Sequence, residues 1–265
     1  MTSRLLRLDF FARLGYSAKG VLYGVVGLLA FQAAIGAGGR ITDSDGALRT
    51  IVRQPFGHTL LLILAIGLFG YAAWRMVEGI FNSEGRGKEL KDLAVRGSYV
   101  ARGLLHALLG WKVLQLYRGF SSRGNSQESL VAETFTWPLG EWMVILGGLG
   151  LFGFAVYQIF RAATTQLGRH FDVEGLRRDI GGWAVGVCRA GLAARGIVFV
   201  IVAWYLVQAG ITGRASQTAD SADAIRIVAN WPEPIGSWLL GGVGIGLLAY
   251  GAFQALNAKY RAIRT

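Results

Sequence analysis

The chain has 265 residues, of which 53% are hydrophobic and only 16% charged, with 39 glycines, a formal net charge of +11 and a mean hydropathy of +0.42. Soluble domains carry about 25% charged residues, so this composition excludes an ordinary soluble globular protein and points to a membrane protein. A single cysteine, Cys188, excludes an intrachain disulfide or a cysteine-based metal cluster.

Apolar stretches long enough to cross a bilayer, roughly 20 residues each, occupy 15–36, 57–80, 98–118, 139–163, 187–210 and 235–258. The first follows Arg4, Arg7 and Arg13 and precedes the small-residue run AAIGAGG, as a cleaved signal segment would. Later internal copies of the same segment argue that it is retained. It holds Lys19 one turn inside its first end and Gln32 near its second. Pro55, Pro138 and the pair Pro232 and Pro234 stand just before the second, fourth and sixth spans, where proline is tolerated at a helix entry. Each of these entries is preceded by a segment of one kind: SDGALRTIVRQPFG, SQESLVAETFTWPLG and DSADAIRIVANWPEPIG. A Ser or Asp cap followed by apolar residues at helical spacing predicts a short helix over each outer end, either a lid over an axial cavity or an interfacial helix that seals the bundle.

The first span recurs. RLGYSAKGVLYGVVGLLAFQ (13–32) aligns with RGSYVARGLLHALLGWKVLQ at an offset of 83 and with RAGLAARGIVFVIVAWYLVQ at an offset of 176. Lys19 thereby meets Arg102 and Arg195, each followed by glycine, and Gln32 meets Gln115 and Gln208. The second helix recurs as well, with Pro55, Gly57, Gly67 and Tyr71 answered by Pro138, Gly140, Gly150 and Phe154, then by Pro234, Gly236, Gly246 and Tyr250. The predicted fold is therefore all-α: a polytopic membrane protein of six transmembrane helices arranged as three parallel helical-hairpin repeats, 11–80, 94–163 and 187–258, about a pseudo-threefold axis.

Of the 27 lysines and arginines, 19 fall on the side of the N-terminus and 8 on the other, while acidic residues divide evenly. The positive-inside rule then predicts both termini in the cytoplasm. The surplus of positive charge faces an anionic inner leaflet, so the expected partners are membrane lipids and no nucleic acid need be invoked.

The triplicated basic-residue and glycine step, with QPFG and GLFGYAAWRMVEG in the second helix, resembles the bacterial membrane family known as domain of unknown function 1206. The resemblance covers essentially the whole chain as three copies of a roughly 70-residue unit. It is clearest at Pro55, Phe56, Gly57, Gly67, Leu68, Gly70 and Tyr71, and the third copy departs by having Ala249 where the others have Gly70 and Gly153. It implies a six-helix protein of the bacterial plasma membrane and brings no activity with it.

The polar positions carry what functional signal there is. Lys19, Arg102 and Arg195 either snorkel to headgroups or form a basic ring for an anion or lipid phosphate. Arg13, Arg96 and Arg189, six residues earlier, read as interfacial anchors. Gln32, Gln115 and Gln208 are expected to bond neighbouring helices. Arg75, Gln158 and Gln254 form a second polar set, with Glu78 within reach of Arg75. Lys112 and His106 break the symmetry, as an unmatched intramembrane cation and as a histidine in the place of Tyr23 and Phe199. Gly20 with Gly24, Gly147 with Gly150 and Gly153, and Gly242 with Gly246 read as helix contacts. His58, His106 and His170 have no ligand spacing, so no metal, cofactor or catalytic residue is expected and the protein reads as a non-enzyme. Two classes remain: a channel or transporter for a small solute along the axis, or a non-transporting scaffold that binds anionic lipid.

Overall fold

The computed structural model describes residues 2–82, 87, 89–120, 127–164, 167 and 171–261. Ser126, His170 and parts of both terminus-side connections (83–86, 88, 165–166 and 168–170), together with the side chains of residues 2–9 and 11, lie outside the described residues. Among those described, the chain forms ten α-helices and no strand. Six are long: α1 (Thr2–Ala34), α3 (Gly57–Phe81), α4 (Leu90–Tyr117), α6 (Gly140–Ala163), α8 (Gly182–Thr212) and α10 (Ile235–Tyr260). Four are short: α2 (Ser44–Val52), α5 (Gln127–Phe135), α7 (Val173–Asp179) and α9 (Ser221–Ala229).

Five of the long helices are apolar enough to cross a membrane; α4 is the exception. Its sequence includes Lys91, Asp92, Arg96, Arg102 and Lys112, which depress its hydropathy although Leu104, Leu105, Leu108 and Trp111 are all at least half exposed. The charged side chains are carried on an otherwise lipid-like helix.

α2, α5 and α9 occupy the three segments predicted to form outer helices. Asp43 caps α2 by accepting the Gly46 amide at 3.0 Å. Asp220 and Asp223 cap α9 reciprocally, each side chain accepting the other's amide, at 2.9 and 3.2 Å. Partial burial pushes the Asp220 carboxyl above its ordinary value, and the neighbouring carboxylates of Asp223 and Asp43 add to the rise, because the capped starts of α9 and α2 face one another. The Pro-x-Gly entries follow from how closely each long helix folds back on its short one. A Cβ at Gly57, Gly140 or Gly236 would lie 2.5 Å or less from a carbonyl ending α2, α5 or α9, so only glycine fits. α2 buries Ala47, Leu48 and Ile51 and α9 buries Ala222, Ala224 and Ile225, whereas α5 buries Val131 alone. Two of the three outer helices thus seal the bundle, and the third lies on its flank.

The long helices pack in the order α4, α3, α1, α10, α8, α6. Three of these contacts join the second helix of one repeat to the first of the next: α3 with α4, α6 with α8, and α10 with α1. Within repeats, α1 meets α3 and α8 meets α10, but no Cα of α4 lies within 8 Å of one of α6. The core is correspondingly divided among separate apolar clusters, one uniting α1, α2, α3 and α4 and others uniting α1, α8, α9 and α10 or α6, α7, α8 and α10.

On the terminus-bearing face, α7 is capped by Asp172, which accepts the Gly175 amide at 2.8 Å. At its other end the Asp179 carboxylate accepts the Tyr260 hydroxyl at 3.1 Å and the Lys259 ammonium at 3.4 Å. The Tyr260 hydrogen bond is the main cause that holds this carboxyl below its ordinary 3.8. The folded value is depressed, so the stabilisation is present above the unfolded value and is lost as pH falls through the folded one. Protection of the α7 amides, measured against their intrinsic exchange rates, is expected to fall only below about pH 4. In Tyr260→Phe the folded value rises toward the unfolded one, so protection above pH 4 should be lower and its further loss on acidification smaller; an unchanged profile would show that this bond does not hold α7.

Candidate functional site

A cavity of about 690 Å³ lies at the centre of the bundle, with side chains from all six long helices on its walls. Lys19, Arg102 and Arg195, the equivalent cations of the three repeats, all reach it, as do Arg75, Gln158 and Gln254 of the second set. Among the described residues its lining includes no Asp or Glu.

The basic-residue and glycine step explains how each cation gets there. Successive helix residues are about 100° apart, so the glycine faces the adjoining helix while the cation faces inward. A Cβ at Gly20 would sit 3.0 Å from the Gly251 carbonyl, one at Gly103 would sit 3.1 Å from that of Ala72, and one at Gly196 would sit 3.1 Å from that of Ala155. The same three interfaces are fastened one and a half turns earlier. Arg13 donates to the Ala258 and Lys259 carbonyls, Arg96 to those of Gly79 and Ile80 at 3.0 Å each, and Arg189 to those of Ala162 and Ala163 at 2.6 and 3.2 Å. The three arginines therefore tie off the carbonyl ends of α10, α3 and α6, a more specific task than the interfacial anchoring expected of them.

Inside the cavity the cations rest on aromatic rings. The Lys19 ammonium lies 4.4 Å from the Tyr71 ring centroid and Arg75 lies 5.3 Å from it. Arg102 and Arg195 share the Phe154 ring at 5.2 and 5.6 Å. Arg195 also donates to the Tyr23 hydroxyl at 3.0 Å and to the Gln158 carbonyl oxygen at 2.7 Å. Arg75, 3% exposed, donates to the Tyr71 and Tyr16 hydroxyls at 3.0 Å each and is paired with Glu78, the local neutralisation that the spacing suggested. Gln254 donates to the Tyr250 hydroxyl at 2.8 Å, repeating the Arg75 and Tyr71 geometry one turn apart. Two buried donors on the cavity wall have no hydrogen-bond partner among the described residues: Gln158 Nε2 and Arg261 Nε.

The asymmetric positions divide. Lys112 turns away from the cavity and pairs with Asp45 of α2 at 3.0 Å. His106 lines the cavity beside Tyr71, ring centroids 4.6 Å apart, and its Nδ1 lies 2.7 Å from the Arg102 carbonyl. Because a carbonyl only accepts, Nδ1 carries a proton, and in the neutral ring Nε2 is then an acceptor. Gln32, Gln115 and Gln208 are half-buried and make no side-chain hydrogen bond with other described residues. The backbone carbonyls of Gln32 and Gln115 instead accept the Ala37 and Phe120 amides at 2.8 and 3.0 Å, closing the helix ends. The glycines divide too. Gly20 and Gly246 face neighbouring helices, but a Cβ at Gly24, Gly147, Gly150, Gly153 or Gly242 would meet nothing within 4 Å, and Gly147 and Gly150 border the cavity. The hydroxyls of Tyr16, Tyr23, Tyr71 and Tyr250 were not legible as site groups, although the Tyr71 and Arg75, Tyr250 and Gln254 pairs at i and i+4 were a signal.

The family described as Domain of Unknown Function (DUF1206) matches this chain three times, over residues 14–82, 97–165 and 190–261. The chain is also 30% identical over 251 residues to a Bacillus subtilis (strain 168) protein titled "Uncharacterized protein YxxB", covering 95% of this chain and 90% of the relative. No solved structure matches. Each matched copy contains one of the three cavity cations, Lys19, Arg102 and Arg195, and the chain belongs to the DUF1206 family.

Proposed function

We propose that the protein is a six-span bundle of the bacterial plasma membrane, with both termini cytoplasmic and three hairpins about a pseudo-threefold axis, whose central cavity binds an anionic group. The observation that carries the reading is the convergence of Lys19, Arg102 and Arg195 on one cavity that has no lining carboxylate among the described residues. Charges inside a membrane protein are costly unless paired, and here the missing partner is negative. The unsatisfied donors of Gln158 and Arg261 favour the same kind of occupant, an oxygen acceptor. The site offers cations and donors, so its role is binding rather than catalysis.

The six-span arrangement is supported by the length of α4, 28 residues or about 42 Å, and by its exposed leucines. The cyclic set of inter-repeat contacts supports the pseudo-threefold axis. The charge bias supports cytoplasmic termini in contact with anionic lipid. Burial of α2 and α9 at the opposite end argues for a holding site over an open axial pore. A carrier remains the second reading, favoured by a small void lined by Tyr23, Asp43, Ser44, Arg195 and Ser221 that shares Arg195 with the main cavity.

Thermal unfolding in detergent at constant ionic strength tests the anion site, since a ligand of the native state raises Tm. Inorganic phosphate is expected to raise the Tm of the wild type. In the triple variant Lys19→Gln, Arg102→Gln, Arg195→Gln the concentration needed should rise at least tenfold. A wild type indifferent to phosphate, to glycerol phosphate and to a short-chain anionic lipid would refute the reading. Uptake of labelled phosphate into proteoliposomes would decide for the carrier.

A further inference from the structure

The helix ring is open at one place only among the described residues, between α4 and α6, and this is the one hairpin whose two helices keep apart. The reason is local. In the first hairpin, Gly15 allows a crossing so close that a Cβ there would be 2.3 Å from the Tyr71 Cβ; in the third, a Cβ at Gly191 would be 2.3 Å from the Tyr250 amide nitrogen. The equivalent residue of the second repeat is Ser98, which has a side chain where the others have none and bonds back to the Val95 carbonyl at 2.7 Å. On the facing helix, Gly67 and Gly246 pack against Leu14 and Ala194, while the equivalent Gly150 meets nothing.

The gap leads from the lipid-facing side straight to the cations. Its α4 edge carries Ala101 and Leu105, the latter 64% exposed and on the cavity wall; its α6 edge is the smooth surface of Gly147 and Gly150. Arg102 reaches across to lie over the Phe154 ring, and Gln158, 2% exposed with Nε2 unpartnered, lies behind it. An apolar slot that ends at a cationic, donor-rich cavity matches a molecule with an apolar tail and an anionic head.

We propose that the cavity takes the anionic headgroup of a membrane amphiphile which enters sideways between α4 and α6, its acyl chains lying against Leu105 and the Gly147 and Gly150 surface. This rests on the anion-site reading above and adds to it the ligand's chemical class and its route. Chains in the slot are solvated by apolar surface while the phosphate replaces the absent carboxylate partners of Lys19, Arg102 and Arg195.

The test compares three probes on the full chain in detergent by their effect on Tm: dioctanoyl-phosphatidylglycerol, dioctanoyl-phosphatidylcholine, and sn-glycerol 3-phosphate, which has the anionic group without chains. Dioctanoyl-phosphatidylglycerol is expected to act at a concentration at least tenfold below either of the others. In Gly147→Leu/Gly150→Leu, whose new side chains enter open space on a helix that gains from losing glycine, the ratio of potency between the chain-bearing and the chainless anion should fall toward one, and that ratio is the readout because both glycines also border the cavity. Ala101→Leu, on the opposite rim, should weaken the same advantage. Equal potency of the chain-bearing and chainless anions, equal potency of the two lipids, or an advantage retained in both rim variants would overturn lateral entry and leave the anion site standing. Indifference to all three would overturn both.

Discussion

Glu78→Gln is expected to destabilise the protein by about 3–5 kcal/mol, the range for removing one member of a buried ion pair. Arg75 and Glu78 are each 3% exposed, and Glu78 is the carboxylate paired with the Arg75 guanidinium. The substitution leaves a cation among Lys19, Arg102 and Arg195 with neutral acceptors in place of a carboxylate, namely the new amide oxygen and the Tyr71 and Tyr16 hydroxyls. The isosteric amide keeps the volume, so the loss is electrostatic and not a cavity. The double variant Arg75→Met/Glu78→Leu removes both charges and should cost much less than Glu78→Gln alone, a non-additivity that a double-mutant cycle measures directly. Unfolding midpoints in a mild-detergent and denaturant titration check both. A loss below about 1 kcal/mol for Glu78→Gln, the scale of an exposed pair, would mean that water entering through the cavity already solvates Arg75. Added anion should partly rescue Glu78→Gln, since a bound negative group does for the cluster what Glu78 did.

Much of this architecture was legible before any coordinates. The spacing of Pro55, Pro138 and Pro234 marked the helix entries, and the caps of Asp43 and Asp220 marked the starts of α2 and α9, because turn and cap chemistry is local. The alignment of Lys19, Arg102 and Arg195 marked the cavity cations as a set. It could not say whether they faced lipid or one another, because helical periodicity gives the angle between residues on one helix and is silent about which neighbour each face meets. Arg13, Arg96 and Arg189 looked like anchors for the same reason, and their carbonyl partners lie on the second helix of another repeat. The glycines show the limit most plainly. Gly67, Gly150 and Gly246 occupy equivalent places, yet two meet a helix and one meets open space, and the deciding difference lies on the partner helix at Gly15, Ser98 and Gly191.

That difference yields the second large effect. Gly191→Leu is expected to cost about 2–3 kcal/mol, the upper part of the range for overpacking. The added Cβ would fall 2.3 Å from the Tyr250 amide nitrogen and 2.6 Å from the Ala249 carbonyl carbon. These are backbone atoms of a helix interior and cannot swing aside as a side chain would, so α8 and α10 must separate. Separation would draw Tyr250 from beside Arg195, whose guanidinium is 4.9 Å from that ring, and loosen the apolar cluster that joins Leu192, Tyr250 and Phe253. In lipid this loss is not offset by a hydrophobic drive to reassociate, because helix contacts there depend on close packing. Ser98→Leu is the control: the equivalent residue already faces a gap, so the unfolding midpoint should change by less than a quarter of the shift seen for Gly191→Leu. Equal losses at the two positions would show that α4 and α6 close on each other in the membrane. A large loss at Gly191 alone would show that α8 and α10 depend on a close crossing that α4 and α6 do not make.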